Sequence, residues 1–153
     1  MNIRDIVSPE SIIEDLRAGT KEGVLRELSE VVAKIVPNLS ADSLTAILME
    51  RESLGSTGIG DGVAIPHGKV AGIERLVAAF GRSRNGVPFH SLDGQPAYLF
   101  FLIVAPEYSA GMHLKALARI SRLLKNERFR RSLIEAADAA DLRRILHEED
   151  ARP

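Results

Sequence analysis

The segment Tyr98–Val104, with the sequence YLFFLIV, lies within the longest apolar run of the chain, Ala97–Ala105. It is apolar at both odd and even positions, which is typical of a central β-strand that is covered on both faces. Pro106 is expected to end the strand, since proline has no N–H to donate to a neighbouring strand. A run of this length is far too short to span a bilayer. The segment therefore predicts the middle strand of a buried sheet.

Helical patterns lie on both sides of this strand in the sequence. An apolar stripe at helical spacing predicts a helix between Thr20, its N-cap, and Pro37, its terminator, and Ser40 is expected to cap a second helix. Asn85-Gly86 indicates a turn. Further helices are predicted at about 111–125, 127–135 and 138–147, and extended segments at 57–59, 63–65 and 76–82. Helices around a sheet make the fold class α/β, a sandwich, but the strand order does not follow from these patterns.

Composition limits the classes of function. The 153 residues carry a net charge of −1, so no large basic field is present to hold nucleic acid or an anionic membrane surface. The chain has no cysteine, which excludes thiol catalysis and fits a reducing compartment. The N-terminus contains acidic residues and a proline where a secretory signal would have a basic start and an apolar run. We expect one cytoplasmic domain over residues 1–153, with a core at about 3–147.

The segment Gly55–Gly68, GSTGIGDGVAIPHG, carries the chemistry. His67 follows a rigid Ile-Pro step and precedes a glycine, and its approach is lined by small residues. Neutral imidazole is a nucleophile at physiological pH because its ordinary pKa is about 6.5. Backbone N–H groups in glycine-rich turns can bind phosphoryl oxygens. The pattern favours a histidine that another protein reaches or that holds a phosphoryl group. The alternative is a surface histidine among glycines that only permit tight turns.

Other glycine-rich motifs do not match. A Walker A loop would need a glycine five residues before Gly68, where Val63 stands, and a dinucleotide fingerprint from Gly58 would need glycine or alanine at the same position. Histidines and carboxylates do not recur at metal-ligand spacing. We therefore expect no nucleotide cofactor and no metal.

The segment Arg51-Glu52-x-x-Gly-Ser-Thr-Gly-Ile-Gly-x-Gly-x-Ala-Ile-Pro-His-Gly resembles the phosphorylation-site signature of enzyme IIA domains of the phosphotransferase system, fructose/mannitol class. GSTGIG is most similar to the nitrogen-regulatory branch, and the resemblance extends from about Ile3 to about Leu146. It implies a central mixed β-sheet flanked by helices on both faces. It also implies a phosphotransferase component in which His67 accepts a phosphoryl group from a histidine phosphocarrier protein (HPr- or NPr-like), without a cofactor.

Five further residues are predicted at the site. Arg51 extends the apolar face of the second helix, so its guanidinium could bind two phosphoryl oxygens or simply complement the helix dipole. His113 should point inward from the first turn of its helix, either as a neutral hydrogen-bond donor or as a satisfied core residue. The resemblance implies the functional role for both. Ser56, Thr57 and Gly68 are candidate phosphate-binding residues, although turn roles explain the first two nearly as well.

The destination of the phosphoryl group is open. The nitrogen-type motif and the lack of a fused IIB segment favour regulation, in which phosphorylated His67 selects downstream partners. The alternative is a sugar-transport component that passes phosphate to a IIB cysteine. A binding module that has lost phosphotransfer is disfavoured because His67, Arg51 and His113 are present. A metal-free hydrolase would need a nucleophile–base–acid set, which is not visible.

Overall fold

The computed structural model describes residues 2–152, which form six β-strands and six α-helices. The strands are β1 (Ile12–Ile13), β2 (Gly58–Gly60), β3 (Val63–Ala64), β4 (His67–Val70), β5 (Val77–Val87) and β6 (Ala97–Pro106). The helices are α1 (Ile3–Ile6), α2 (Lys21–Ile35), α3 (Ala41–Ser53), α4 (Ala110–Leu124), α5 (Glu127–Glu135) and α6 (Ala139–Asp150). None of these helices in residues 2–152 has the length and apolarity needed to cross a membrane.

The sheet is mixed, and β6 is its central strand. Its strand order is β1-β5-β6-β3-β2, with β4 following β3 along the same edge of β6. β5 runs antiparallel to β6, whereas β3 and β4 run parallel to it. The β4 register sets His67 opposite Ile103 and Gly68 opposite Val104. The predicted mixed sheet flanked by helices is confirmed.

Each face of β6 contributes to a separate hydrophobic core, as its unbroken apolar sequence predicts. Phe101 and Ile103 are fully buried with residues from α4, α5 and α6, and Phe101 meets Phe80 edge to face at 5.8 Å between ring centroids. Phe100 and Leu102 are fully buried on the opposite face with α2 and α3. Each such side chain stabilises the fold by about 1.5–3 kcal/mol. The strand is therefore apolar at every position because helices cover both sides.

The local signals for α2 and α3 are confirmed. The Thr20 hydroxyl accepts a hydrogen bond from the Gly23 amide at 3.1 Å, and Ser40 accepts one from the Ser43 amide at 3.2 Å. Both caps satisfy an amide that has no partner inside the helix. The two helices pack against one face of the sheet, and α3 also contacts β4. This contact carries the C-terminal end of α3 to the strand that begins with His67.

The predicted turn at Asn85-Gly86 is wrong. This dipeptide lies inside β5, in a bulge between two paired positions. Arg82 pairs with Leu99 and Val87 pairs with Ala97, so β5 has more residues than β6 between these two pairs. Gly86 has a φ of 82°, and the tip of Tyr98 occupies the space where its Cβ would be. A glycine beside asparagine serves a bulge as well as a hairpin, because both require positive φ. The short elements α1, β1 and β4 were not predicted from the sequence.

Candidate functional site

His67 is held at the start of β4 in a defined tautomer. Its Nδ1 lies 2.9 Å from the carbonyl oxygen of Ile65. A carbonyl oxygen only accepts hydrogen bonds, so Nδ1 carries the proton and donates it. Nε2 makes no hydrogen bond within residues 2–152, and its lone pair is left available. The rigid Ile-Pro step seen in the sequence thus supplies the carbonyl that sets the proton position on the histidine.

His67 lines an open pocket of about 430 Å³ between the C-terminal end of α3, β4 and the start of α4. Its walls combine apolar side chains with two imidazoles and charged groups. The lining residues are Ile47, Glu50, Arg51, Leu54, His67, Gly68, Lys69 and His113. The structure therefore brings together His67, Arg51, His113 and Gly68, four of the six residues predicted from the sequence.

His113 lies beside His67, with the two ring centroids 5.1 Å apart and the rings tilted by 58°. It is buried in the first turn of α4, as its position on the apolar face predicts. Its Nδ1 is buried and has no hydrogen-bond partner within residues 2–152. An orphaned buried N–H is rarer than an unsatisfied acceptor, so the unprotonated state is favoured at Nδ1. The proton then belongs on Nε2, and the ring can donate from that atom.

Both imidazoles are biased toward the neutral form. Burial lowers the pKa of His67, the Ile65 hydrogen bond opposes that change, the charge of Arg51 lowers the pKa further, and Glu52 raises it. Burial is also the main cause that lowers the pKa of His113, followed by the charges of His67 and Lys69. A neutral His67 keeps its Nε2 lone pair for attack on an electrophile.

Arg51 occupies the last turn of α3 and the wall of the pocket. Its Nη1 donates a hydrogen bond of 2.9 Å to the carbonyl oxygen of Gly55. This contact fastens the start of the glycine-rich segment to the helix end, so part of the guanidinium serves a structural role. Because Arg51 also lowers the pKa of His67, its charge acts on the ring across the pocket. The two interpretations from the sequence, helix end and anion ligand, are therefore compatible.

Ser56 and Thr57 are not brought into the pocket. The Ser56 hydroxyl donates to the carbonyl oxygen of Phe89 at 2.6 Å, and the Thr57 hydroxyl donates to the carboxylate of Glu52. A hydroxyl has a single proton to donate, so neither group can donate to a phosphate at the same time. Gly68 does line the pocket, and a Cβ there would lie 3.0 Å from Cγ2 of Ile47. Its lack of a side chain lets α3 pack against β4.

Glu52 is part of the residue 51–68 motif, but no role was predicted for it. It is 7% exposed, yet it forms a salt bridge of 2.8 Å with Nζ of Lys21 and accepts hydrogen bonds from Thr57. One signal was present, because Lys21 stands in the first turn of α2, where a cation opposes the helix dipole. Such a lysine implies a nearby anion, although the sequence does not say which one.

Known proteins match this chain over nearly its whole length. The family model described as "Phosphoenolpyruvate-dependent sugar phosphotransferase system, EIIA 2" matches residues 5–149. The chain belongs to this EIIA family. The family is a component of a phosphotransferase system, and the resemblance stated from the residue 51–68 motif is confirmed.

Similar proteins come from both branches of the family. A nitrogen regulatory protein of Bradyrhizobium diazoefficiens is 40% identical over 146 residues, which cover 95% of each chain. A fructose-specific EIIABC component of Bacillus subtilis is 39% identical over 150 residues, or 98% of this chain and 24% of that protein. The crystal structure of the nitrogen regulatory protein IIA-Ntr from Neisseria meningitidis superposes with a TM-score of 0.87 at 35% identity, covering 93% of this chain and 97% of that one.

Proposed function

We propose that this EIIA protein carries a phosphoryl group on Nε2 of His67, received from the phosphohistidine of a phosphocarrier protein. The observation that carries the proposal is the hydrogen bond from Nδ1 to the carbonyl oxygen of Ile65, which leaves the lone pair on Nε2. Nε2 is then the nucleophile, and Nδ1 keeps its proton throughout the reaction.

The transfer is a direct exchange between two imidazoles. The Nε2 lone pair of His67 attacks phosphorus and forms the new N–P bond, while the N–P bond of the donor breaks and its electron pair returns to the donor ring. Positive charge develops on the His67 ring as its lone pair is shared. The Ile65 carbonyl stabilises that charge through the Nδ1 proton, consistent with its upward effect on the pKa of His67. The donor ring loses the corresponding charge, so the exchange balances.

Arg51 and His113 are proposed to stabilise the transferred group. Its charge is spread over three oxygens during in-line transfer, so nearby cations and N–H donors lower the barrier. Arg51 supplies a guanidinium in the pocket wall, and His113 can donate from Nε2 beside the His67 ring. Gly68 also borders the space that the group would fill. Ser56 and Thr57 are better explained as supports of the segment before His67.

The surface around the pocket suits docking of a second protein. Leu54 lines the pocket and is 81% exposed, and Met112 and Leu114 on either side of His113 are also exposed. Exposed apolar side chains around a polar centre are typical of protein interaction sites. Lys69 adds a positive charge at the rim, which favours an incoming phosphorylated partner. We propose a histidine phosphocarrier protein as that partner, in the cytoplasm, where phosphoenolpyruvate is available.

Labelling tests this function. The protein is incubated with radiolabelled phosphoenolpyruvate, the first phosphotransferase enzyme and the phosphocarrier protein. Label should appear in an acid-labile, alkali-stable form that His67→Ala abolishes. His90→Ala is the matched control, because His90 is exposed in a loop outside the pocket and its replacement should leave the label unchanged. A His67→Ala protein that still takes up label would refute the assignment.

Regulation is the proposed role of the phosphorylated state. The match to the nitrogen regulatory protein covers 95% of both chains, whereas the match to the fructose component covers only 24% of that protein. Phosphorylation adds close to two negative charges at the apolar rim, enough to change which partner fits. The second candidate is sugar transport, which the 39% identity to the fructose component favours. Rapid transfer of label from this protein to a fructose-type IIB domain would support the second candidate.

A further inference from the structure

Glu52 is a buried carboxylate that follows Arg51 in the last turn of α3, and the proposed reaction does not use it. Its side chain is 3% exposed and is contacted by donors from two directions. Lys21 Nζ lies 2.8 Å from Oε1, the Thr57 amide donates to Oε1 at 3.2 Å, and the Thr57 hydroxyl donates to Oε2. One ammonium, one amide and one hydroxyl therefore satisfy a single carboxylate. Such a set of partners holds Thr57 firmly against the end of α3.

A chain of hydrogen bonds leads from this carboxylate to the ring of His67. Thr57, fixed by Glu52, accepts a 3.0 Å hydrogen bond at its carbonyl oxygen from the Ile65 amide. Ile65 in turn accepts the 2.9 Å hydrogen bond from Nδ1 of His67. The carbonyl that sets the tautomer of His67 thus belongs to a residue whose amide is hydrogen-bonded to Thr57. If Thr57 moved, the direction of the Ile65 carbonyl would change with it.

Lys21 occupies a position that helix energetics alone disfavour. It is the first residue of α2, where the helix dipole disfavours a cation by about 0.3–1 kcal/mol. Its Nζ lies 4.6 Å above the centroid of the Phe89 ring while it contacts Glu52. Phe89 also accepts the hydrogen bond from Ser56. Ser56 is therefore attached to the backbone of Phe89 and Thr57 to the side chain of Glu52, and Lys21 contacts the side chains of both Phe89 and Glu52.

We infer that Glu52 is a positioning residue for phosphoryl transfer: through Thr57 and Ile65 it holds His67 in the tautomer that presents the Nε2 lone pair. The inference rests on the proposed role of His67 as phosphoryl acceptor. Free histidine favours the opposite tautomer, with the proton on Nε2. Loosening the support of Ile65 would return the ring toward that form, in which Nε2 cannot attack phosphorus.

The test measures the tautomer and the reaction separately. Ring ¹⁵N chemical shifts of His67 give the tautomer in the unphosphorylated protein, without any partner, and the labelling rate gives the reactivity. Glu52→Gln keeps the shape but cannot satisfy all three donors, and Thr57→Val keeps the shape but loses the hydroxyl. Both should lower the population protonated on Nδ1 and slow labelling about 3- to 30-fold, since small misplacement of a reacting group is costly. Thr57→Ser retains the hydroxyl, so the tautomer of His67 and the labelling rate should both stay at their wild-type values.

Asp150 provides a matched control away from the pocket. It is a buried carboxylate that accepts from a backbone amide, that of Ile3 at 2.6 Å, and from the cation Arg119 at 2.6 Å. Asp150→Asn should destabilise the fold in the same way as Glu52→Gln but leave the tautomer and the labelling rate unchanged. A folded Glu52→Gln protein with wild-type tautomer and rate would overturn the inference, as would an equal loss in Asp150→Asn. Failure of the wild-type protein to take up label would instead refute the proposed function, with the tautomer result still standing.

Discussion

Replacing Arg51 by alanine should raise the pKa of His67, because the guanidinium charge is one of the groups that lower it. Burial is the larger cause and remains in the variant, so the pKa should rise only part of the way to its ordinary value. The wild-type ring should titrate below pH 6.5. Its neutral, reactive fraction at neutral pH is therefore larger than that of an ordinary histidine, and it declines as the pH falls through the lowered pKa.

The size of the effect decides where to measure it. An imidazole with an ordinary pKa of 6.5 is about three quarters neutral at pH 7 and about one quarter neutral at pH 6. If His67 were fully neutral, its labelling rate would exceed that of a histidine with the ordinary pKa by only about 1.3-fold at pH 7, but by up to about fourfold at pH 6. In Arg51→Ala, NMR titration should show a higher pKa for the His67 ring. Labelling rates measured between pH 5 and 8 should begin to fall at a higher pH than in the wild-type protein. Arg51→Lys keeps the charge, so both the pKa of His67 and the pH at which the rate falls should be nearly unchanged.

The labelling rate above pH 7.5, where it should no longer change with pH, tests whether Arg51 also stabilises the phosphoryl oxygens. There His67 is neutral in every variant, so a slower reaction must come from lost stabilisation of the phosphoryl oxygens. Removal of one such donor typically costs about 10²–10³ in rate, and an open pocket should lie at or below the lower end of that range. A wild-type titration at or above pH 6.5 would refute the pKa argument. If the labelling rate above pH 7.5 were unchanged in a folded Arg51→Ala protein, the stabilising role would be refuted. The contact with the Gly55 carbonyl would then be the remaining role of the Arg51 guanidinium.

Three stability predictions can be checked by urea denaturation. Arg82→Met should lower the free energy of unfolding by about 2–4 kcal/mol, because the buried guanidinium donates to carbonyls at the C-terminal end of α5. Arg84 is exposed, so Arg84→Ala should lower it by under about 0.5 kcal/mol. Equal losses in the two variants would contradict this reasoning. Gly68→Ala should cost about 1–3 kcal/mol because the added Cβ would lie 3.0 Å from Cγ2 of Ile47, and a neutral result would mean that α3 shifts freely. Leu102→Ala should cost about 2–5 kcal/mol, and a smaller loss would show that the core collapses around the cavity.

Local patterns predicted much of the fold, and long-range contacts account for most of the errors. The caps at Thr20 and Ser40 depend on residues three positions away, so they could be found from the sequence. The bulge at Asn85-Gly86 depends on how β5 meets β6, and a dipeptide does not distinguish it from a hairpin. β1 and β4 are too short for a period to be visible, and each exists because a longer strand pairs with it.

The candidate site divides in the same way. His67 stood out because its glycine-rich approach and Ile-Pro step are contiguous in the chain, and the inward direction of His113 followed from helical spacing. Ser56 and Thr57 were predicted to bind phosphate because their residue types suit it, yet their protons are donated elsewhere. A sequence shows which groups can donate, but it does not show which acceptors will be near them.

The sequence by itself determined that β6 would be buried on both faces and that the five longer helices would form around it, and it singled out His67 as the candidate reactive imidazole. These properties follow from periodicity, capping and residue chemistry within a few positions of each residue. Only the tertiary structure decided the tautomer of His67, its 5.1 Å approach to His113 and the attachment of Glu52 to Thr57. The physical reason is that hydrogen bonds and desolvation depend on the distances between atoms, and here folding brings those atoms together from α3, the segment before β4, and α4.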